Sequence, residues 1–201
     1  MSRLPPLTSE RFTDTQKRLF DAITGGKRAQ GRKPEEFLMP DGGMRGPFNA
    51  WLHHPEIGEA AQRMGEILRF EGNLPDPLRE VAILTVGRHW RAQYEWWAHA
   101  KIAAKVGVPD DVIQAIFDQA PLPTEDAATL AVHAFVRELM ETQHVSGPAY
   151  EDARDVLGES GVVELVMLAG YYGLISATLN AFEVGLPEGE TPPFAYPHET
   201  F

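Results

Sequence analysis

Three residues have the types and spacing to move protons: Glu80, Glu95 and His99. Glu95 and His99 are four positions apart, so on a helix they share one face and touch. Glu80 stands at the entrance to an almost wholly apolar run, Val81 to Val86. Each has a bland reading. Glu80 could be a first-turn charge that complements a helix dipole, and Glu95/His99 an exposed pair contributing about 0.3–0.5 kcal/mol. The apolar run after Glu80, and Trp96 and Trp97 beside the pair, argue against open solvent. In an apolar setting a carboxylate next to an imidazole fixes its orientation and tautomer, which suits acid–base work. A metal held by Glu95, His99 and a further ligand such as His89 is a weaker reading, because the chain has no H-x-x-x-H or H-E-x-x-H pair. The expectation is no metal.

Other side chains could serve binding. Arg45 and Arg88 are candidate anchors for an anionic substrate, since a guanidinium grips a carboxylate bidentately. Either could instead pair with one of the chain's many acids. His53 and His54 are adjacent, so only one can point inward from a helix. Tyr171 and Tyr172 read as core or interface.

These residues need helices to position them. A helix is expected from Thr8 or Ser9 to about Thr24, stopped by Gly25-Gly26. Lys27 to Gly46 reads as a loop around Phe37-Leu38-Met39. A short helix follows in R-G-P-F-N-A-W-L-H-H-P, Arg45 to Pro55, and another from Pro55 to about Glu71. The run carrying Glu80 reads as a central helix, Pro77 to Gly87, and the Glu95/His99 helix as Gln93 to Val106. A connection of about five residues makes the two antiparallel neighbours. Helices are then expected from Asp110, from Glu125 to Thr142, from Ser146 to Leu157, and from Val162 to Phe182. The last is apolar nearly all round and must be buried in the domain or against another subunit. The Pro-rich tail, with Phe194, Tyr196 and Phe201, is expected to form no core. No strand alternation or fixed-period repeat is present. The class is all-α, a single domain over 1–201: an N-terminal helix and loop (1–46), a helical core (47–186) and an extended tail (187–201).

Bulk properties remove several functions. With 29 acids against 18 lysines and arginines, the net charge is −11, the wrong sign for tracking nucleic acid. The chain has no cysteine, so disulfides, thiolate metal sites and a catalytic thiol are excluded. The start lacks the apolar core of a signal peptide, and no apolar run approaches the ~20 residues that span a bilayer. The expectation is a soluble, cytoplasmic protein with no membrane partner.

The stretch from Glu80 to His99 resembles the carboxymuconolactone decarboxylase and alkylhydroperoxidase-D-like family. The thiol branch of that family has a glutamate, eleven residues, a cysteine, two residues, a cysteine, three residues and a histidine. Here Glu80, Ala92, Glu95 and His99 fall on those positions. Together with R-G-P-F-N-A-W and the closing T-L-N-A-F-E-V-G-L-P-E-G, the sequence looks like a cysteine-free branch over about Arg45 to Pro193. The resemblance implies an all-helical fold with a long apolar C-terminal helix and a trimer or hexamer. It also implies a cofactor-free lyase acting on a small carboxylated lactone or keto acid. Glu80, Glu95 and His99 would be its catalytic set, and Phe48, Asn49 and Trp51 walls of its pocket. Thiol peroxidase chemistry is not expected, because an alanine and a carboxylate cannot cycle through a sulfenic acid. The alternatives are a non-catalytic binding oligomer and a metal-dependent hydrolase.

Overall fold

Ten consecutive residues, Leu78 to Gly87, are buried on every side, and the helix that carries them organises its surroundings. A computed structural model describes residues 2–195. Eight α-helices lie among the described residues: α1 (Asp14–Gly25), α2 (Phe48–His53), α3 (Pro55–Phe70), α4 (Asp76–Trp90), α5 (Gln93–Lys105), α6 (Asp110–Asp118), α7 (Ala127–Thr142) and α8 (Gly147–Ala181). They include no strand, only an isolated bridge between Leu38 and Met44. The all-α expectation holds, long C-terminal helix included.

The chain forms two compact units. One takes in Met1–Gly72 and Thr178–Glu190, the other Asn73–Ala177 and Thr191–Phe201. In the first, α1 starts later than the sequence suggested. Ser9–Arg11 is a single 3₁₀ turn, and Thr13 caps the helix in a reciprocal capping box with Gln16. Leu19 and Ile23 of α1 are fully buried. Gly58 of α3 lets α1 and α2 approach: a Cβ there would lie 2.7 Å from Leu19 Cδ2 and 2.8 Å from Trp51 Cβ.

In the second unit, α4 packs against α5, α6 and α7. It runs to Trp90, past Gly87, where the sequence suggested an end. Gly87 lies under α5, where a Cβ would come 3.5 Å from Glu95 Cγ. That packing outweighs the ~1 kcal/mol that a mid-helix glycine costs. Arg91, left-handed at φ 48°, then closes α4, and the helices are joined by Arg91-Ala92 rather than five residues. The antiparallel arrangement survives and is tighter.

Two further expectations change. The helices expected before and after Leu157 follow without a loop as α8, with Gly158 at φ 70° and ψ 170° as the break between them. A stretch of α8 also has the length and mean hydropathy of a membrane-crossing helix, where the sequence reading found no such run. Half of that stretch is buried within the protein, as in a core helix. The tail, expected to form no core, contributes Phe194, which is buried. Its backbone N–H donates to Gln93 Oε1 (2.9 Å) and its carbonyl accepts from Gln93 Nε2 (2.6 Å). Its ring stacks on Phe117 at 5.2 Å. Tyr196 and Phe201 lie outside the described residues.

Candidate functional site

The core of the second unit holds a polar cluster built from two helices. Glu80 sits on α4, one turn in from Asp76, and Glu95 and His99 sit four apart on α5. Because α4 and α5 are joined by two residues, the start of one faces the end of the other. The Glu80 carboxylate therefore reaches the far end of the α5 pair. His99 Nδ1 lies 2.6 Å from Glu80 Oε2, and Nε2 lies 3.3 Å from Glu95 Oε1. The first contact is a short hydrogen bond. The second is within ion-pair distance but off the hydrogen-bond direction. The three side chains are only 3–8% exposed.

This burial decides between the two readings. An exposed helix pair would be worth a few tenths of a kcal/mol. Here two carboxylates and an imidazole share a site without bulk water, where each needs the others to satisfy it. Neutral or charged, the ring can donate from Nδ1 to the Glu80 carboxylate. The cluster is thus a Glu80–His99 hydrogen bond with the Glu95 carboxylate beside the other ring nitrogen. Among the described residues, no three His, Asp or Glu side chains are placed to hold a metal ion. Tyr172 of α8 packs its ring edge-on against His99, with centroids 5.1 Å apart. The sequence reading took it for core or interface; its one visible signal was a phenol in an otherwise apolar stretch.

Arg88, a candidate anion anchor, is engaged elsewhere in the same unit. Its Nε donates to the Phe117 carbonyl, and its guanidinium lies over Phe117 and Phe194 at 5.7 and 5.4 Å. Its pKa is lowered, first by burial and then by Arg91.

The sequence reading also missed a second buried histidine. His133 of α7 places Nδ1 3.0 Å from Thr85 Oγ1, while Thr85 Oγ1 lies 2.7 Å from the Val81 carbonyl. The hydroxyl has one hydrogen and the carbonyl can only accept, so His133 Nδ1–H donates to Thr85. Burial, and then the charge of Arg137, push the His133 pKa down to about 4. The ring is therefore neutral at pH 7. A cavity of about 20 Å³, enough for one water, adjoins it, lined also by Arg88, His89 and Arg137. A polar residue inside an apolar helical stripe was the signal for His133, as it was for Thr85.

Arg45, Phe48, Asn49 and Trp51 belong to the other unit. Phe48 packs between Phe37 and Trp51, at 6.5 and 5.3 Å, and Trp51 is buried. Asn49 accepts from the Leu7 N–H (3.0 Å) and donates to the Pro5 carbonyl (3.1 Å). His53 Nε2 meets the same Pro5 carbonyl at 3.0 Å, while His54 is exposed beside Glu56. Arg45 and Asn49 line a cleft of about 400 Å³ in this unit. Phe48 and Trp51 are not among its walls. Glu80, Glu95 and His99 line neither cavity.

Residues 55–138 match the model of the carboxymuconolactone decarboxylase family. Among curated proteins no significant sequence match is found. The fold is similar to that of an uncharacterized peroxidase-related protein from Ralstonia eutropha JMP134, an alkylhydroperoxidase AhpD core. That match has a TM-score of 0.73 at 16% identity and covers 95% of this chain and 97% of the other. A peroxidase-related protein from Silicibacter sp. TM1040 gives 0.69 at 14% identity over 94% and 92%. The debrominase Bmp8 gives 0.68 at 14% over 91% of each chain. At these identities the likeness is one of fold.

Proposed function

Through residues 55–138 this chain belongs to the carboxymuconolactone decarboxylase family, and from that premise we propose that it is a cofactor-free lyase using acid–base chemistry. Its substrate is a small carboxylated lactone or keto acid. The observation that supports this is the buried Glu80–His99–Glu95 chain, with contacts of 2.6 and 3.3 Å.

Decarboxylation breaks the bond to the carboxylate carbon and leaves its electron pair on the neighbouring carbon. An adjacent carbonyl takes that pair up as an enolate. Carbon dioxide departs, and the carbon must then gain a proton. His99 supplies that proton or stabilises the enolate. Glu80 relays a proton to the ring, and Glu95 acts as base or fixes the tautomer. The apolar surroundings raise the energy of the substrate carboxylate relative to the charge-dispersed transition state. No thiol peroxidase activity is expected, because the chain has no cysteine and the two cysteine positions are Ala92 and Glu95.

We also propose that the protein works as a homo-oligomer, a trimer or hexamer. Val163, Met167 and Leu174 lie on one exposed stripe of α8, the kind of apolar surface that a partner subunit covers.

A second reading is a non-catalytic binding protein. It is favoured by the same burial, since the cluster lines neither cavity while a 400 Å³ cleft lies in the other unit. A screen of carboxylated lactones and β-keto acids for CO2 release, run with wild type, His99→Ala and Glu80→Gln, separates the two. Turnover that collapses in both variants supports the lyase. Ligand binding without turnover, indifferent to both changes, supports the binder.

A further inference from the structure

We infer that the cleft of the first unit is a binding site for a small monocarboxylate with an apolar body, with the Arg45 guanidinium as its anchor. The inference stands on this cleft alone and goes beyond the acid–base reading.

The cleft lies beneath a strap made by residues 2–7. At one end the Arg3 N–H donates to the Phe182 carbonyl (2.9 Å), and Arg3 pairs with Glu183. At the other end Asn49 holds both Leu7 and Pro5. Opposite the strap, the chain doubles back on itself: Met39 N–H donates to the Gly43 carbonyl (2.7 Å) and Arg45 N–H to the Phe37 carbonyl (2.8 Å). Gly43 is required there, because a Cβ would lie 2.8 Å from Pro6 Cβ. Both walls are thus fixed, and the volume, about 400 Å³, falls in the range of preformed ligand pockets.

Its chemistry is lopsided in a useful way. Leu4, Met39, Met44, Phe182 and Leu186 supply apolar surface. Arg45 is the one base among the described residues of the lining. Its Nε donates to the Leu38 carbonyl at 2.7 Å, which orients the guanidinium. The two terminal nitrogens have no hydrogen bond or ion pair among the described residues. The chain has 29 acids against 18 lysines and arginines, yet this half-buried arginine has no carboxylate partner among the described residues. A preoriented fork whose two outer nitrogens are free is the geometry that receives a carboxylate bidentately. Asp41 is the one acid among the described residues of the lining; it is exposed, and its Oδ1 accepts from the Gly43 N–H.

The test is calorimetric titration with 4-phenylbutyrate and its neutral isostere 4-phenylbutyramide. Wild type should bind the carboxylate on the order of 10–100-fold more tightly than the amide, the range of a charged hydrogen-bonded contact. Arg45→Gln should lose that preference and Arg45→Lys keep part of it, with unchanged circular dichroism melting. Asp41→Asn should bind equally well or better. The inference is overturned if wild type binds neither probe or does not distinguish them. It is also overturned if a folded Arg45→Gln keeps the preference, or if Asp41→Asn abolishes binding. His99→Ala should retain 4-phenylbutyrate affinity, so failure of the lyase reading and failure of this one give different results.

Discussion

Two buried histidines lean on the same helix, and their surroundings prepare them for different work. His99 on α5 meets two carboxylates, Glu80 at 2.6 Å and Glu95 at 3.3 Å. His133 on α7 meets the Thr85 hydroxyl at 3.0 Å, with a pKa lowered to about 4 by burial and Arg137. A ring with an acid at each nitrogen can pass a proton from one side to the other. A ring with one nitrogen fixed as a donor to a hydroxyl, and held neutral, acts as a hydrogen-bonding strut. Helix α4 makes both: Glu80 near its start and Thr85 near its middle are buried polar side chains among mostly apolar neighbours. The same residue type thus becomes a candidate catalyst or a structural post according to the charges that face it.

The largest effect expected from this contrast is on turnover. With a substrate in hand, His99→Ala should lower kcat/KM by on the order of 10²–10⁴-fold, while His133→Gln should change it by only a few-fold. Steady-state kinetics of the two variants side by side is the measurement. Equal losses would erase the distinction.

Stability should separate them next. Glu80→Ala removes one member of a buried charge-assisted pair and strands the other, which typically costs about 3–5 kcal/mol. Glu80→Gln keeps an acceptor near Nδ1 and should cost clearly less. Urea midpoints for the two variants would show it. Similar midpoints would mean that the shape and acceptor kept by Gln contribute nothing and that the charge alone carries the contact.

The third expectation uses pH. A neutral buried imidazole opposes the protonation that the unfolded chain accepts near the ordinary value of 6.5. Between about 6.5 and 4 the unfolded state binds the extra proton, so stability is full above 6.5 and falls as pH drops. A depression of about 2.5 pH units corresponds to roughly 3 kcal/mol. Wild type minus His133→Gln, measured by denaturation at steps from pH 7.5 to 4, should show this slope. A flat difference would place His133 in contact with solvent.

The smallest effect is expected from Thr85→Val. It preserves shape but removes the oxygen that accepts from His133 Nδ1–H, leaving a buried donor unpaired at a cost of about 1–2 kcal/mol. It should leave turnover unchanged. A melting curve and the same kinetic assay suffice, and a large fall in turnover would draw His133 into the chemistry.

Much of the fold was legible along the chain because helices announce themselves locally. Apolar spacing, Gly25-Gly26, the prolines in the first turns of α3 and α4, and Gly107 after α5 mark most of the helices within a few residues. Four-residue spacing put Glu95 and His99 on one face, and Glu80 carried a charge into an apolar run; both signals needed no partner to be read. The break between the two halves of α8 was visible in outline, though Gly158 makes it a kink without a loop.

What tertiary structure decided was everything that depends on which surface meets which. Gly87 reads as a helix stop, yet α4 continues because α5 packs onto it there and tertiary contact outweighs propensity. Phe194 reads as an exposed aromatic in a proline-rich tail, yet Gln93, Phe117 and Trp96, distant in sequence, enclose it. His133 and Thr85 are 48 positions apart, and no local pattern joins them. Arg45 carries the same charge wherever it lies; the strap, the doubled-back chain and its bond to Leu38 place it in the wall of a cleft. Sequence fixes the charge and helical face of a residue through short-range geometry. Its partner across the core, and its access to solvent, follow from packing between distant segments.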